Sequence, residues 1–113
     1  MTQEGETKHY DLEERTSLFA KNVIIFCRNF KQDKILLTLL TQLVRSATSI
    51  GANYMEANGG NSKKEFIYKI SLCKKEANET KYWLTMLSTF TENKEGLKIL
   101  EKESHELVLI FQK

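Results

Sequence analysis

The chain has 113 residues, a mass of 13.1 kDa, no proline, five glycines, 41% hydrophobic residues and a net charge of +2. A chain of this length buries roughly two thirds of its unfolded surface. That suffices for one core but leaves no room for a cofactor domain beside it, so residues 1–113 read as one domain, with 1–10 as a flexible N-terminal tail. No apolar run approaches the roughly 20 residues of a membrane helix, and no charged start leads into an apolar signal stretch. These features predict a cytoplasmic protein with no membrane partner.

The absence of proline, with abundant Lys, Glu and Leu, points to long helices and short connections. Three breaks divide the chain, at 29–33, 58–62 and 91–96. Between them apolar residues recur at spacings of three and four, the pattern of a helix face packed on other helices. The first helix reads Leu12, Thr16, Phe19, Val23, Phe26, Phe30, with Cys27 beside this seam. The second, capped by Asp33, reads Leu36, Leu40, Leu43, Ala47, Ile50, Tyr54, Ala57. Gly59-Gly60 supplies a left-handed turn, and Ser62 with Glu65 forms a capping box. The third helix reads Phe66, Ile70, Cys73, Ala77, Thr80, Leu84, Leu87. The fourth, capped by Thr91 or Asn93, reads Leu97, Leu100, Ser104, Leu107, Phe111. Connections of about three to six residues make successive helices antiparallel neighbours. The predicted fold is all-α, an antiparallel up-down-up-down four-helix bundle.

Helix two carries a second face. Gln42, Arg45, Ser46, Ser49, Ala52, Asn53 and Glu56 share one side, read as lying opposite the Leu40/Leu43/Ala47/Ile50 seam. A solvated face in a chain with 28% charged residues should be rich in Lys and Glu, whereas this one is small or amide-bearing. Small residues admit a second backbone, and amides and a guanidinium offer directional hydrogen bonds. Helix three has a second stripe of Lys69, Leu72, Glu76, Glu79, Trp83, Met86 and Phe90. Left exposed, Leu72, Trp83 and Met86 would form an apolar patch suited to another copy of the chain; a bundle wide enough would bury both stripes itself. Arg45 is expected to meet Glu76 or Glu79, within the chain or between subunits.

Charge is uneven, with +6 over residues 21–81 and −4 over the two ends. Arg28, Lys31 and Lys34 cluster at the first turn, Lys63 and Lys64 begin helix three, and Lys69, Lys74, Lys75 and Lys81 continue along it. Such a distribution attracts a polyanion, RNA or DNA, or is a set of solvated lysine faces. With no aromatic residues expected to interleave with the lysines as a stacking platform, binding would be sequence-tolerant and steeply salt-sensitive.

Catalytic readings are weak. A di-iron bundle needs paired Glu-x-x-His motifs, but His9 precedes helix one and His105 follows Glu101 by four. Cys27 and Cys73 have no metal spacing, are too few for a disulfide scaffold, and read as reduced, buried thiols. Ser46 and Ser49 have no histidine nearby in sequence. The expectation is a protein that is not an enzyme and has neither metal nor cofactor.

The run from Gln42 to Ala57, with Gln42-Leu43-x-Arg45-Ser46, Ser49-Ile50, Asn53 and Glu56, is followed by Ser62 and Phe66 and then by Glu76, Glu79 and Trp83-Leu84. This pattern closely resembles the family of 23S ribosomal-RNA intervening-sequence proteins, also labelled S23. The resemblance implies a ring-like homopentamer of four-helix bundles around a central channel. A related group serves reverse transcriptases of diversity-generating retroelements as a basic accessory protein, which makes nucleic acid and a polymerase candidate partners. The chain departs from the family in lacking a proline between helices one and two, and in its Asn58-Gly59-Gly60-Asn61 turn, where many members carry Glu-Gly and a basic residue. The resulting expectation is a homo-oligomeric, nucleic-acid-associated accessory protein, or alternatively a scaffold with no nucleic-acid role.

Overall fold

The computed structural model describes residues 12–31, 33–60 and 62–112. The tail expected at 1–10 lies outside them. Four helices follow in order: α1 (Leu12–Cys27), α2 (Lys34–Ala57), α3 (Lys63–Leu87) and α4 (Lys94–Phe111), with no strand among the described residues. At about 1.5 Å per residue, α2 and α3 each run roughly 36 Å and α1 only about 24 Å. The two long central helices share the broadest contact; α3–α4 and α1–α2 follow, and a narrow α1–α4 contact closes the ring. This is the predicted up-down-up-down arrangement.

The helix starts have identifiable causes. Asp33 Oδ1 accepts the Leu36 N–H at 3.0 Å, and Ser62 Oγ accepts the Glu65 N–H at 3.2 Å. At α4 the two candidate caps act in series. Asn93 Oδ1 accepts the Gly96 N–H at 3.0 Å, while Thr91 Oγ1 accepts the Asn93 N–H at 3.0 Å. Gly60 adopts φ +87° in the α2–α3 turn, a conformation that side chains resist.

The predicted seams form the core. Phe19, Val23, Leu43, Ala47, Ile50, Ala77, Leu84, Leu87 and Leu107 are buried, and Thr16, Thr80 and Ser104 are buried polar members of the same stripes. Thr16 and Ser104 hydroxyls satisfy themselves on backbone carbonyls of their own helices, Leu12 and Glu101. Phe66 departs from its seam and is exposed, because it lies in the first turn of α3 at the end of the bundle. On α4, Val108 joins the predicted residues in the core. Across the weakest seam Arg15 grips Glu103 with two bonds, Nε–Oε2 at 2.6 Å and Nη2–Oε1 at 2.9 Å. The Tyr54 and Phe111 rings meet at 5.7 Å, joining α2 to the end of α4.

By length and composition α2 is apolar enough to cross a membrane, a test that a helix packed in a core passes equally. In the bundle its apolar residues supply the central stripe of Leu36, Leu43, Ala47 and Ile50.

Both cysteines are free; Cys73 is buried and Cys27 partly so. Burial pushes the Cys73 thiol up to about 12 and the Cys27 thiol up to about 11. The native state therefore retains protons that the unfolded chain sheds near pH 9, so this stability contribution is complete below pH 9 and falls as pH rises toward the folded values. The urea midpoint is expected to decline from about pH 9 to 11, and less steeply in a Cys27→Ala/Cys73→Ala variant. An equal decline in that variant would show that the thiols have no part in it.

Candidate functional site

The unusual residues of α2 sit on its flank facing α3, and four contacts fix the register of the two helices. The Ile50 carbonyl accepts from Cys73 Sγ at 3.5 Å, and the Thr80 and Ser46 hydroxyls meet at 2.9 Å in the core. Arg45 Nη1 lies 3.3 Å from Glu76 Oε1, and its Nη2 pairs with Glu79. Lys69 Nζ lies 2.7 Å from Glu56 Oε1. Hydrogen bonding to Glu79, reinforced by both carboxylates, raises the Arg45 guanidinium above its ordinary value against a desolvation penalty. Gln42 Oε1 accepts from Arg45 Nε at 3.1 Å and holds the guanidinium in place. Asn53 turns inward along its own helix, its Nδ2 donating to the Ser49 carbonyl at 2.9 Å.

This geometry corrects the expected outward face. Ser46 is fully buried, Arg45 and Glu56 pair within the chain, and Gln42, Ser49 and Asn53 are half-buried; Ala52 faces out. A helical wheel gives each residue's angle about its own axis, but the direction in which α3 lies is a tertiary fact. The expected apolar patch is also corrected. Leu72, Trp83 and Met86 are half-buried, and Trp83 packs on the core with its ring 5.0 Å from Tyr82 in an edge-on contact. Among the described residues the buried Trp83 indole N–H meets no hydrogen-bond acceptor. Large exposed apolar side chains lie elsewhere: Leu18 and Ile25 share one face of α1, and Leu37 and Met55 share one face of α2.

The basic residues do not form one cluster. Arg28, Lys31 and Lys34 lie at the α1–α2 turn, whereas Lys63 and Lys64 lie at the opposite end, roughly 36 Å along α3. Lys69 is engaged by Glu56. Among the described residues Lys63, Lys64, Lys74 and Lys75 have no carboxylate within 4.0 Å. Lys81 Nζ lies 3.1 Å from His105 Nδ1, which links the lysines of α3 to Lys98, Lys102 and His105, spaced four and three apart on α4. Glu101 shares that side of α4.

Tyr68 and Tyr82, absent from the sequence-based site, stand between these lysines. The i+4, i+7 and i+11 positions counted from Lys64 are Tyr68, Ser71 and Lys75, followed by Asn78 and Tyr82, and all six are exposed. The helical spacing that marks the core seam also marks this row, on the opposite side of α3. Aromatics do interleave with the basic residues, contrary to the expectation.

Several clefts open on the surface of the described residues. One of about 670 Å³ lies where the α1–α2 and α3–α4 turns meet, lined by Phe26, Phe30, Phe90, Lys31, Asp33 and Glu92, with charges of both signs and no convergent polar set. Another, about 420 Å³, runs between α1 and α2 past Thr16, Ala20, Gly51 and Ala52. There the helices approach so closely that a Cβ on Gly51 would lie 3.0 Å from Thr16 Oγ1. No group of three or more His, Cys, Asp or Glu side chains converges among the described residues.

No curated protein matches the chain at significant similarity. A crystal structure at 1.70 Å of a protein of unknown function from the S23 ribosomal protein family of Bacteroides thetaiotaomicron VPI-5482 is similar, with 31% sequence identity and a TM-score of 0.79 over 88% of this chain and 93% of that one. The family model for the 23S rRNA-intervening sequence protein matches residues 8–112. With nearly its whole length matched and the same four-helix architecture, the chain belongs to the 23S rRNA-intervening sequence protein family.

Proposed function

We propose that this chain is a non-enzymatic, self-assembling four-helix bundle, a homopentamer, that serves in the cytoplasm as an accessory protein on nucleic acid. The observation that carries the reading is that exposed apolar faces on α1 and α2 accompany a set of uncompensated lysines on α3. Leu18 and Ile25 on α1, and Leu37 and Met55 on α2, are exposed apolar pairs on single helix faces, the kind of surface that association covers. On α3, five lysines, Lys63, Lys64, Lys74, Lys75 and Lys81, have no carboxylate within 4.0 Å among the described residues. Five copies turn a net charge of +2 into roughly +10 and repeat the basic surface, so weak phosphate contacts add by avidity. The number five rests on the family resemblance.

Light scattering behind a sizing column is expected to give a mass several times 13.1 kDa, and a gel shift with structured RNA is expected at low salt and to weaken at moderate salt. A single species at 13.1 kDa overturns the assembly. An assembled protein that shifts no RNA at low salt selects the scaffold reading, which the engagement of Arg45 and Lys69 in intrachain pairs favours.

A further inference from the structure

Helix α3 divides its surface three ways. One side, with Cys73, Ala77, Thr80, Leu84 and Leu87, is core. The flank toward α2 carries its acids, where Glu76 and Glu79 are held by Arg45. The remaining arc contains Lys64, Tyr68, Ser71, Lys75, Asn78 and Tyr82 and no acidic residue. Tyr68 and Tyr82 are 59% and 55% exposed. Fourteen residues separate them, so their rings lie about 21 Å apart along one face, with Lys75 and two neutral polar groups between and Lys64 beyond.

More than half of each tyrosine is open to solvent, and the one ring contact of Tyr82 among the described residues is edge-on with Trp83. A tyrosine loses little entropy when a flat ring is laid on it, and a nucleobase offers such a ring. Duplex bases are stacked on each other and closed to such contact, while lysines alone bind duplex and single strand alike. We propose that the outer face of α3 is a track for single-stranded nucleic acid, in which Tyr68 and Tyr82 stack on unpaired bases, Lys75 holds the intervening phosphates and Lys64 those beyond Tyr68. This rests on the nucleic-acid reading above and adds to it the strand state and the contact residues. Recognition is by stacking and charge, so it is tolerant of sequence.

The test is fluorescence anisotropy with labelled oligouridylate, oligothymidylate and a duplex, each about 20 nucleotides long and titrated at low and moderate salt. The full chain should bind both single strands more tightly than the duplex, and any gap between them shows whether the sugar matters. Tyr68→Ala and Tyr82→Ala should each weaken single-strand binding about fivefold or more, whereas Tyr68→Phe and Tyr82→Phe retain it. Lys75→Ala should weaken all probes and flatten the salt dependence. Equal affinity for the duplex, with both alanine variants unchanged, overturns the track but leaves the accessory reading standing. No binding of any probe at low salt overturns both. Alanine variants that drop to 13.1 kDa while the parent is larger would make the row a contact between copies and also overturn the track.

Discussion

Leu84→Ala is expected to cost about 3–4 kcal/mol of unfolding free energy and to lower the melting temperature by roughly 15 °C. Leu84 is fully buried on α3, the helix that packs on both α2 and α4. Its loss removes the transfer free energy of the isobutyl group and leaves a cavity between helices already fixed in register by Arg45, Ser46 and Ile50. A domain of this size has a stability of only about 5–15 kcal/mol, so the variant should be marginal at physiological temperature. Urea titration of the two proteins measures the difference. Ile99→Ala is the control, since Ile99 is 68% exposed and its truncation should change stability by about 0.5 kcal/mol or less. Equal losses at the two positions would mean that α3 is not the centre of the core.

Arg45→Met is expected to cost roughly 1–2 kcal/mol, more than an ordinary surface substitution. The Glu76 side chain is only 12% exposed and would lose its cation while lying one turn from Glu79. The figure stays below that of a fully buried pair because Arg45 itself is 44% exposed and solvent screens it. A double-mutant cycle separates pairing from packing: Glu76→Gln in the Arg45→Met background should recover part of the loss, because it removes the stranded charge. A purely additive pair of substitutions would show that the Arg45 stem, rather than its charge, ties the two helices.

The residues that resembled a family signature have a physical explanation in this register. Arg45, Ser46, Glu56, Glu76 and Glu79 fasten α2 to α3, the broadest interface in the molecule. Residues with such roles identify a fold more directly than an activity. The chemistry available for partners lies outside that signature, on the lysines and tyrosines of α3 and on the apolar faces of α1 and α2.

Much of the fold was legible because its causes are local. Asp33, Ser62 and Asn93 satisfy backbone N–H groups three residues away, and Gly60 takes a turn that other residues resist. The spacing of Phe19, Val23 and Phe26, or of Leu97, Leu100, Ser104 and Leu107, fixes one face of one helix. The site was less legible. Ser46 looked like part of an outer surface because its neighbours Arg45 and Ser49 are polar; in the core it donates to the Leu43 carbonyl of its own helix and accepts from the hydroxyl of Thr80, 34 positions away. Leu72, Trp83 and Met86 looked surplus because one helix's stripe says nothing about the width of the groove that receives it.

Four helices, their starts, their core stripes and the short turns that make them antiparallel follow from local sequence, since each depends on residues within a few positions of one another. The tertiary structure alone decided which flank of α2 meets α3, that Arg45 pairs within the chain, and which lysines are left without carboxylates. Those outcomes depend on the angle between two helix axes and on side chains 13–34 residues apart, and helical periodicity carries no information about either.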